Sequence, residues 1–146
     1  MKSLFEDATY QEVLLRIDAL NEKSERQWGK MTAGQMAWHC QFPIKIGVDN
    51  KHKGNGNLFV RVFFKKAMYN DKPWRKNLPT SPALRAKEEK DLTTEKTKLK
   101  QLVNDFYACR SRSEWNPHPL FGKLTPEQWG KVQFKHLDHH LTQFGV

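Results

Sequence analysis

The stretch from Thr125 to Phe144 constrains the fold of this chain more than any other. Thr125, Pro126 and Gln128 together spell a helix start. Thr serves as the N-cap, Pro takes the first helical position where its missing N–H costs nothing, and Gln can return a hydrogen bond to the cap. His136 and His140 then lie four residues apart, so on a helix they stack on one face. On a wheel of about 100° per residue, Lys131, Lys135, Asp138 and Thr142 gather on one side. His136 and His140 fall nearly opposite, beside Trp129, Val132 and Gln143, with His139 nearer the boundary. A helix with this division turns its imidazoles toward other helices.

Three further segments carry helical periodicity. Phe5 to Leu20 places Tyr10, Val13, Leu14, Ile17 and Leu20 on one stripe. A second helix opens at Thr32, again with Gln three residues later as a capping box, and continues through Met36, Cys40 and Ile44. A third spans Thr94 to Arg110, with Leu99, Leu102, Val103, Phe106 and Cys109 as its apolar stripe. Trp28 to Gln35 and Phe121 to Gln128 echo each other: an aromatic, Gly-Lys, an apolar residue, Thr, and Gln at matching positions. Both copies mark the start of a His-bearing helix. The length of 146 residues suits one domain, 1–146, with its own core.

The middle of the chain differs in character. Residues 51–100 carry fourteen Lys/Arg against five Asp/Glu, and the flanking parts are nearly balanced, so the net charge of +9 comes from here. Leu58 to Tyr69 reads as a short buried helix, although its Val and Phe content also suits a strand. Pro73, Pro79 and Pro82 make Lys72 to Pro82 a loop. Ser111 to Lys123 is a second loop, with His118 between Pro117 and Pro119 and expected at the surface. No zinc-finger spacing, Gly-rich phosphate loop or aromatic-studded RNA-binding strand accompanies the basic region. The two cysteines, Cys40 and Cys109, are too few for a disulfide framework. Glu6 and Asp7 interrupt any secretory signal. Leu58 to Phe64 falls far short of the ~20 residues that span a bilayer. The expectation is a cytoplasmic protein with free thiols and no membrane partner.

The paired histidines carry the chemistry. A buried neutral imidazole needs both a donor and an acceptor partner. Two stacked inward imidazoles can share one metal ion, which satisfies both together. The competing reading is a pair of core-edge histidines bonded to backbone or carboxylate. His39, seven residues into the second helix, can close a metal site from across the core. Three His ligands leave a position for water or substrate. Pro43, four residues after His39, removes the N–H that would bond the His39 carbonyl and is expected to loosen the helix there. Gln35, Gln143, His139 and His118 are candidates for orienting the imidazoles or a substrate. Cys40 reads as a core thiol, and His52 as solvated.

The residues that frame these helices resemble the DinB/YfiT-like superfamily of proposed metal-dependent enzymes, and more closely a small bacterial branch of it without assigned function. The resemblance rests on Trp28-Gly29-Lys30-Met31-Thr32, Gln35-Met36, Trp38-His39-Cys40, Phe121-Gly122-Lys123-Leu124-Thr125 with Trp129, and His136-Leu137-Asp138-His139-His140 with Gln143-Phe144. It implies an all-α four-helix bundle with an extra short helix and long loops in the middle. It implies zinc or nickel held by His39, His136 and His140. It also implies chemistry of the kind found in characterised relatives, which include thiol S-transferases and isomerases that use low-molecular-weight thiols.

The functional expectation is therefore a divalent-metal-dependent enzyme. Its three-His site would activate water or a thiol for hydrolysis or thiol transfer on a small molecule. No catalytic acid or base stands out; His139, His118 and Asp138 are the options. The alternative is a non-catalytic protein whose basic region 51–100 binds nucleic acid or another polyanion. A homodimer joined through exposed aromatics such as Trp74 is compatible with either.

Overall fold

Two threonines start the two helices that matter most. In the computed structural model, which describes residues 1–146, Thr32 Oγ1 accepts the Gln35 N–H at 3.3 Å, and Gln35 Oε1 accepts the Thr32 N–H at 3.0 Å. Thr125 and Gln128 repeat the arrangement at 3.2 and 3.0 Å. The echo extends further back: Gly29 and Gly122 both have positive φ, 81° and 66°, and each turns the chain into its cap. A shared local sequence thus makes the same turn and the same capping box twice.

The protein is all-helical. α1 runs Asp7–Ala19, α2 Ala33–Asp49, α3 Leu58–Phe63, α4 Leu92–Ala108 and α5 Pro126–Gln143. Short 3-10 turns occupy Lys65–Met68, Pro82–Leu84 and Cys109–Ser111. No helix is long and apolar enough to cross a membrane. α4 starts where Asp91 accepts the Thr94 N–H at 2.7 Å, two residues before the predicted start.

The four long helices enclose one core. Val13 and Ile17 come from α1; Met36, Cys40 and Ile44 from α2; Leu99, Val103 and Phe106 from α4; Trp129, Leu137 and Leu141 from α5. Within each helix these residues are three to five apart or a multiple of one turn, as a single buried stripe requires. Arg16 ties α1 to the end of α5, donating to Asp138 Oδ1 at 2.7 Å, Thr142 Oγ1 at 3.0 Å and the Val146 carbonyl at 2.9 Å. Burial raises the Cys40 thiol above its ordinary value, so it stays protonated and inert, as a core thiol should.

Two expectations need correction. The segment after Leu58 forms a helix, yet its apolar residues face outward: Leu58 is 69 % exposed, Phe59 61 % and Phe63 66 %. Apolar side chains cover more than half of this six-residue helix, so only part of them can meet the core, and Val60 takes that place. α2 runs through Pro43 to Asp49, and the Pro43 carbonyl accepts Gln133 Nε2–H from α5 at 2.9 Å. Lys135 is not on a solvated face. It is buried, and its ammonium donates to the carbonyls of Ala67 (2.7 Å) and Asn70 (2.8 Å) and to Asn70 Oδ1 (2.7 Å). All three of its N–H bonds are thereby satisfied, and the chain leaving α3 is pinned against α5.

Candidate metal centre

α2 supplies His39 and α5 supplies His136 and His140, and the three imidazoles meet inside the protein. His39 Nε2 lies 3.1 Å from His136 Nε2. Ring centroids are 5.1 Å apart for His39 and His136, 4.8 Å for His39 and His140, and 4.7 Å for His136 and His140. One ring nitrogen from each residue lies within 4.8 Å of the other two. By plane geometry, one point then lies within about 2.8 Å of all three, close to the ~2.0–2.1 Å of a zinc–imidazole bond.

The outer nitrogens decide which inner ones are free. His39 Nδ1–H donates to the Leu84 carbonyl at 3.0 Å. His140 Nδ1–H donates to Gln143 Oε1 at 3.0 Å, and Gln143 Nε2–H donates to the Trp28 carbonyl at 2.7 Å. These bonds fix neutral tautomers whose Nε2 lone pairs face inward, the usual arrangement behind a metal-bound His. His136 differs: its Nδ1 is buried without any partner. Gly29 makes the Gln143 contact possible. A Cβ there would lie 2.4 Å from Gln143 Nε2.

Burial keeps these rings uncharged. It lowers His39, and it lowers His136 well below the ordinary value, helped by the neighbouring His140, His39 and His139. Burial and then His39 push His140 down to about 3, although its bond to Gln143 works the other way. Neutral imidazoles are the form that binds a cation.

A pH dependence of stability follows. The folded His140 value of about 3 lies below the ordinary 6.5, and burial likewise lowers His118 to about 4. Between those values the unfolded chain binds more protons than the folded one, so stability is full above pH 6.5 and falls as pH drops toward 3. Urea unfolding of metal-free protein at about pH 7.5 and about pH 5 should show a loss on the order of a few kcal/mol. Equal midpoints would mean that these rings are hydrated rather than buried.

An aromatic wall stands beside the cluster. The Trp74 ring lies 5.9 Å from His136 and 5.6 Å from His139. Trp28 lies 5.8 Å from His139 on another side, with Lys76 Nζ 4.6 Å over its face. Trp74 is half-buried and donates Nε1–H to the Ala67 carbonyl at 3.2 Å. It stands beside the His cluster, less exposed than the sequence suggested. Neither Trp74 nor the Leu84 carbonyl was foreseen as part of the site. Both come from the Pro-rich middle segment, where periodicity gives no placement, and a backbone carbonyl leaves no mark in a sequence.

The other candidates divide. Gln143 reaches His140 as described. His139 stacks edge-on to His140 with centroids 5.1 Å apart, and burial lowers its basicity while Asp138 raises it. Gln35 does not reach the cluster: its carbonyl closes the Thr32 cap and its Nε2–H donates to the Glu88 carbonyl at 3.1 Å. His118 is not at the surface; it is 4 % exposed. Its Nδ1 accepts the N–H groups of Leu120 and Phe121 at 3.1 and 3.3 Å, and its ring stacks on Phe121 and against Trp129. It folds its own loop. Asp138 is held by Arg16. A cavity of about 560 Å³ lined by Glu22, Arg26, Thr32, Glu89, Lys90 and Phe144 contains none of the three histidines.

These features define a class: an all-helical protein with a buried cluster of three neutral imidazoles contributed by two of its helices. The chain belongs to the family described as protein of unknown function DUF1569, whose profile matches residues 3–145. No curated protein and no solved structure matches it.

Proposed function

We propose that this protein is a DinB/YfiT-like four-helix bundle that holds one divalent metal ion, zinc or nickel, on His39, His136 and His140. The observation that carries the reading is the convergence of three ring nitrogens within 4.8 Å, two of them backed by hydrogen bonds to Leu84 and Gln143. A cation also suits the donor set. Two Nε2 atoms 3.1 Å apart are close to the ~3.3 Å spacing that a tetrahedral ion at ~2.0–2.1 Å would impose on its ligands.

An ion on three neutral donors keeps its full charge and lowers the pKa of a bound water or thiol toward neutrality. The reaction class proposed is accordingly hydrolysis or thiol transfer on a small molecule. Of the protein's own groups, Trp74 and Trp28 limit water access and offer flat apolar surfaces to a substrate. His139, half-buried between them, is the residue placed to hold or move a proton there. The polyanion reading draws on the same charge as before, but Arg61 already donates to the Asn55 carbonyl at 3.0 Å and Lys65 to the Lys123 carbonyl.

Elemental analysis of tag-free protein tests the proposal. About one zinc or nickel per chain is expected, with little or none in His39→Ala. Gln143→Leu keeps all three ligands and should bind about 10–100-fold more weakly, the usual cost of removing a group that orients a liganding His. No metal in the wild type, and none taken up on titration, would sink the reading.

A further inference from the structure

The apolar side of α3 has no partner in the fold. Leu58, Phe59, Val62 and Phe63 fall within one arc of the helix, at steps of one and four residues, and are 61–69 % exposed. Phe59 packs against Phe63, centroids 4.8 Å apart, and against Phe64 at 5.9 Å. Phe64 is itself 51 % exposed. The loop carrying exposed Leu120 is bonded to the start of α3, Asn57 N–H to the Leu120 carbonyl at 3.1 Å. Scattered exposed apolar residues need no explanation, but a contiguous cluster of this kind marks an interaction surface.

The charge of the segment that carries this face points to the partner's chemistry. From Lys51 to Lys87 the chain has ten Lys/Arg and one acid, Asp71, and Asp71 pairs with the N-terminal ammonium at 2.6 Å. Lys51, Lys53, Lys66 and Lys123 are exposed and form no salt bridge within the protein. A second copy docked face to face would bring two patches of the same positive charge together, since a two-fold contact joins the same patch to itself. Phosphates of a nucleic acid would use the cations and gain nothing from Leu58 and Val62. A surface with an apolar interior and anionic headgroups uses both.

We infer that the α3 ledge docks this protein onto an anionic lipid surface. Leu58, Phe59, Val62 and Phe63 enter the boundary between headgroups and acyl chains, and Lys51, Lys53, Lys66 and Lys123 lie at the headgroup level. The contact is peripheral, because α3 is six residues long and cannot span a bilayer. Cations near such a surface contribute individually small attractions that fade within a Debye length, so binding should be salt-sensitive.

Sedimentation with large unilamellar vesicles tests this without reference to the metal site. The full chain should bind phosphatidylcholine vesicles containing roughly a third phosphatidylglycerol and should not bind pure phosphatidylcholine. Phe59→Ser with Phe63→Ser should cut partitioning by at least about tenfold, the size expected from losing two buried aromatic anchors. Lys66→Glu with Lys123→Glu should weaken binding while leaving the apolar face intact. Both pairs are surface changes, so helical circular dichroism should match wild type. Absence of binding to the anionic vesicles would overturn the inference. So would equal binding to both vesicle types, or a concentration-dependent dimer that the Phe variant abolishes. Tighter binding to a short DNA duplex than to vesicles at equal salt would overturn it too.

Discussion

Zinc should raise the melting temperature of the metal-free protein by about 10 °C, and His136→Ala should erase that shift. An ion that binds only the folded state stabilises it by about 4 kcal/mol at a thousandfold excess over its dissociation constant. For a domain of this length each kcal/mol moves the midpoint by about 2–4 °C. His136 is the informative position because its Nδ1 has no partner inside the protein. Without metal, its removal sacrifices packing and the 3.1 Å contact to His39, while it also relieves an unsatisfied buried nitrogen. The metal-free variant should therefore melt near the metal-free wild type, and the difference between them should emerge only when zinc is added. Scanning fluorimetry with and without zinc or nickel reads this directly. An equal shift in both proteins would place the ion elsewhere, and the three-His centre would have to be abandoned.

How much of that centre was legible in the sequence varies by residue. His136 and His140 could be placed on the inward side of α5 because a strong cap sets the register and the helix is long enough for its period to be unambiguous. His39 followed from the second copy of the same cap. Gln143 could be named for the same reason, one turn beyond His140. Elsewhere local sequence was a poor guide. His118 sits between two prolines, a context that usually means surface, yet its ring is the piece of that loop that packs on Trp129. Gln35 shares a helix with His39, but its amide was already committed to the cap it helped to reveal. Lys135 read as solvated because long cations nearly always are. Only the fold shows three oxygens of the 67–70 turn converging on its ammonium. The placement of Trp74 over His136 depends on that same anchor, so the wall of the site was invisible wherever the anchor was. α3 shows the opposite failure. Its hydrophobicity was plain, but hydrophobicity alone does not say whether a face meets the core or some other apolar phase.

Gly34→Ala should be the most damaging single-methyl change in the protein, with a loss of about 2–3 kcal/mol in urea unfolding. Helix propensity argues the other way, since alanine in place of glycine within a helix is ordinarily worth about 0.5–1 kcal/mol. The surroundings outweigh it. A Cβ at Gly34 would lie 1.9 Å from the Lys90 carbonyl oxygen and 2.9 Å from its carbon. These are backbone atoms, and they cannot step aside. The segment from Glu88 to Asp91 is strapped to the start of α2 by Gln35 Nε2–H to the Glu88 carbonyl at 3.1 Å and by Thr32 Oγ1–H to Glu89 Oε2 at 3.1 Å. Asp91 in turn caps α4. Room for the methyl comes only from moving the start of α4 away from α2. That motion pulls on the Gln41 to Glu95 hydrogen bond of 2.7 Å and on the packing of Leu92 and Leu99. The three histidines proposed as ligands sit on α2 and α5, so zinc should still stabilise the variant by about the same increment as wild type. A Gly34→Ala protein more stable than wild type would mean that α2 and α4 stand farther apart at this end. A variant that had lost its zinc increment as well would mean that the start of α4 also holds His39 in place.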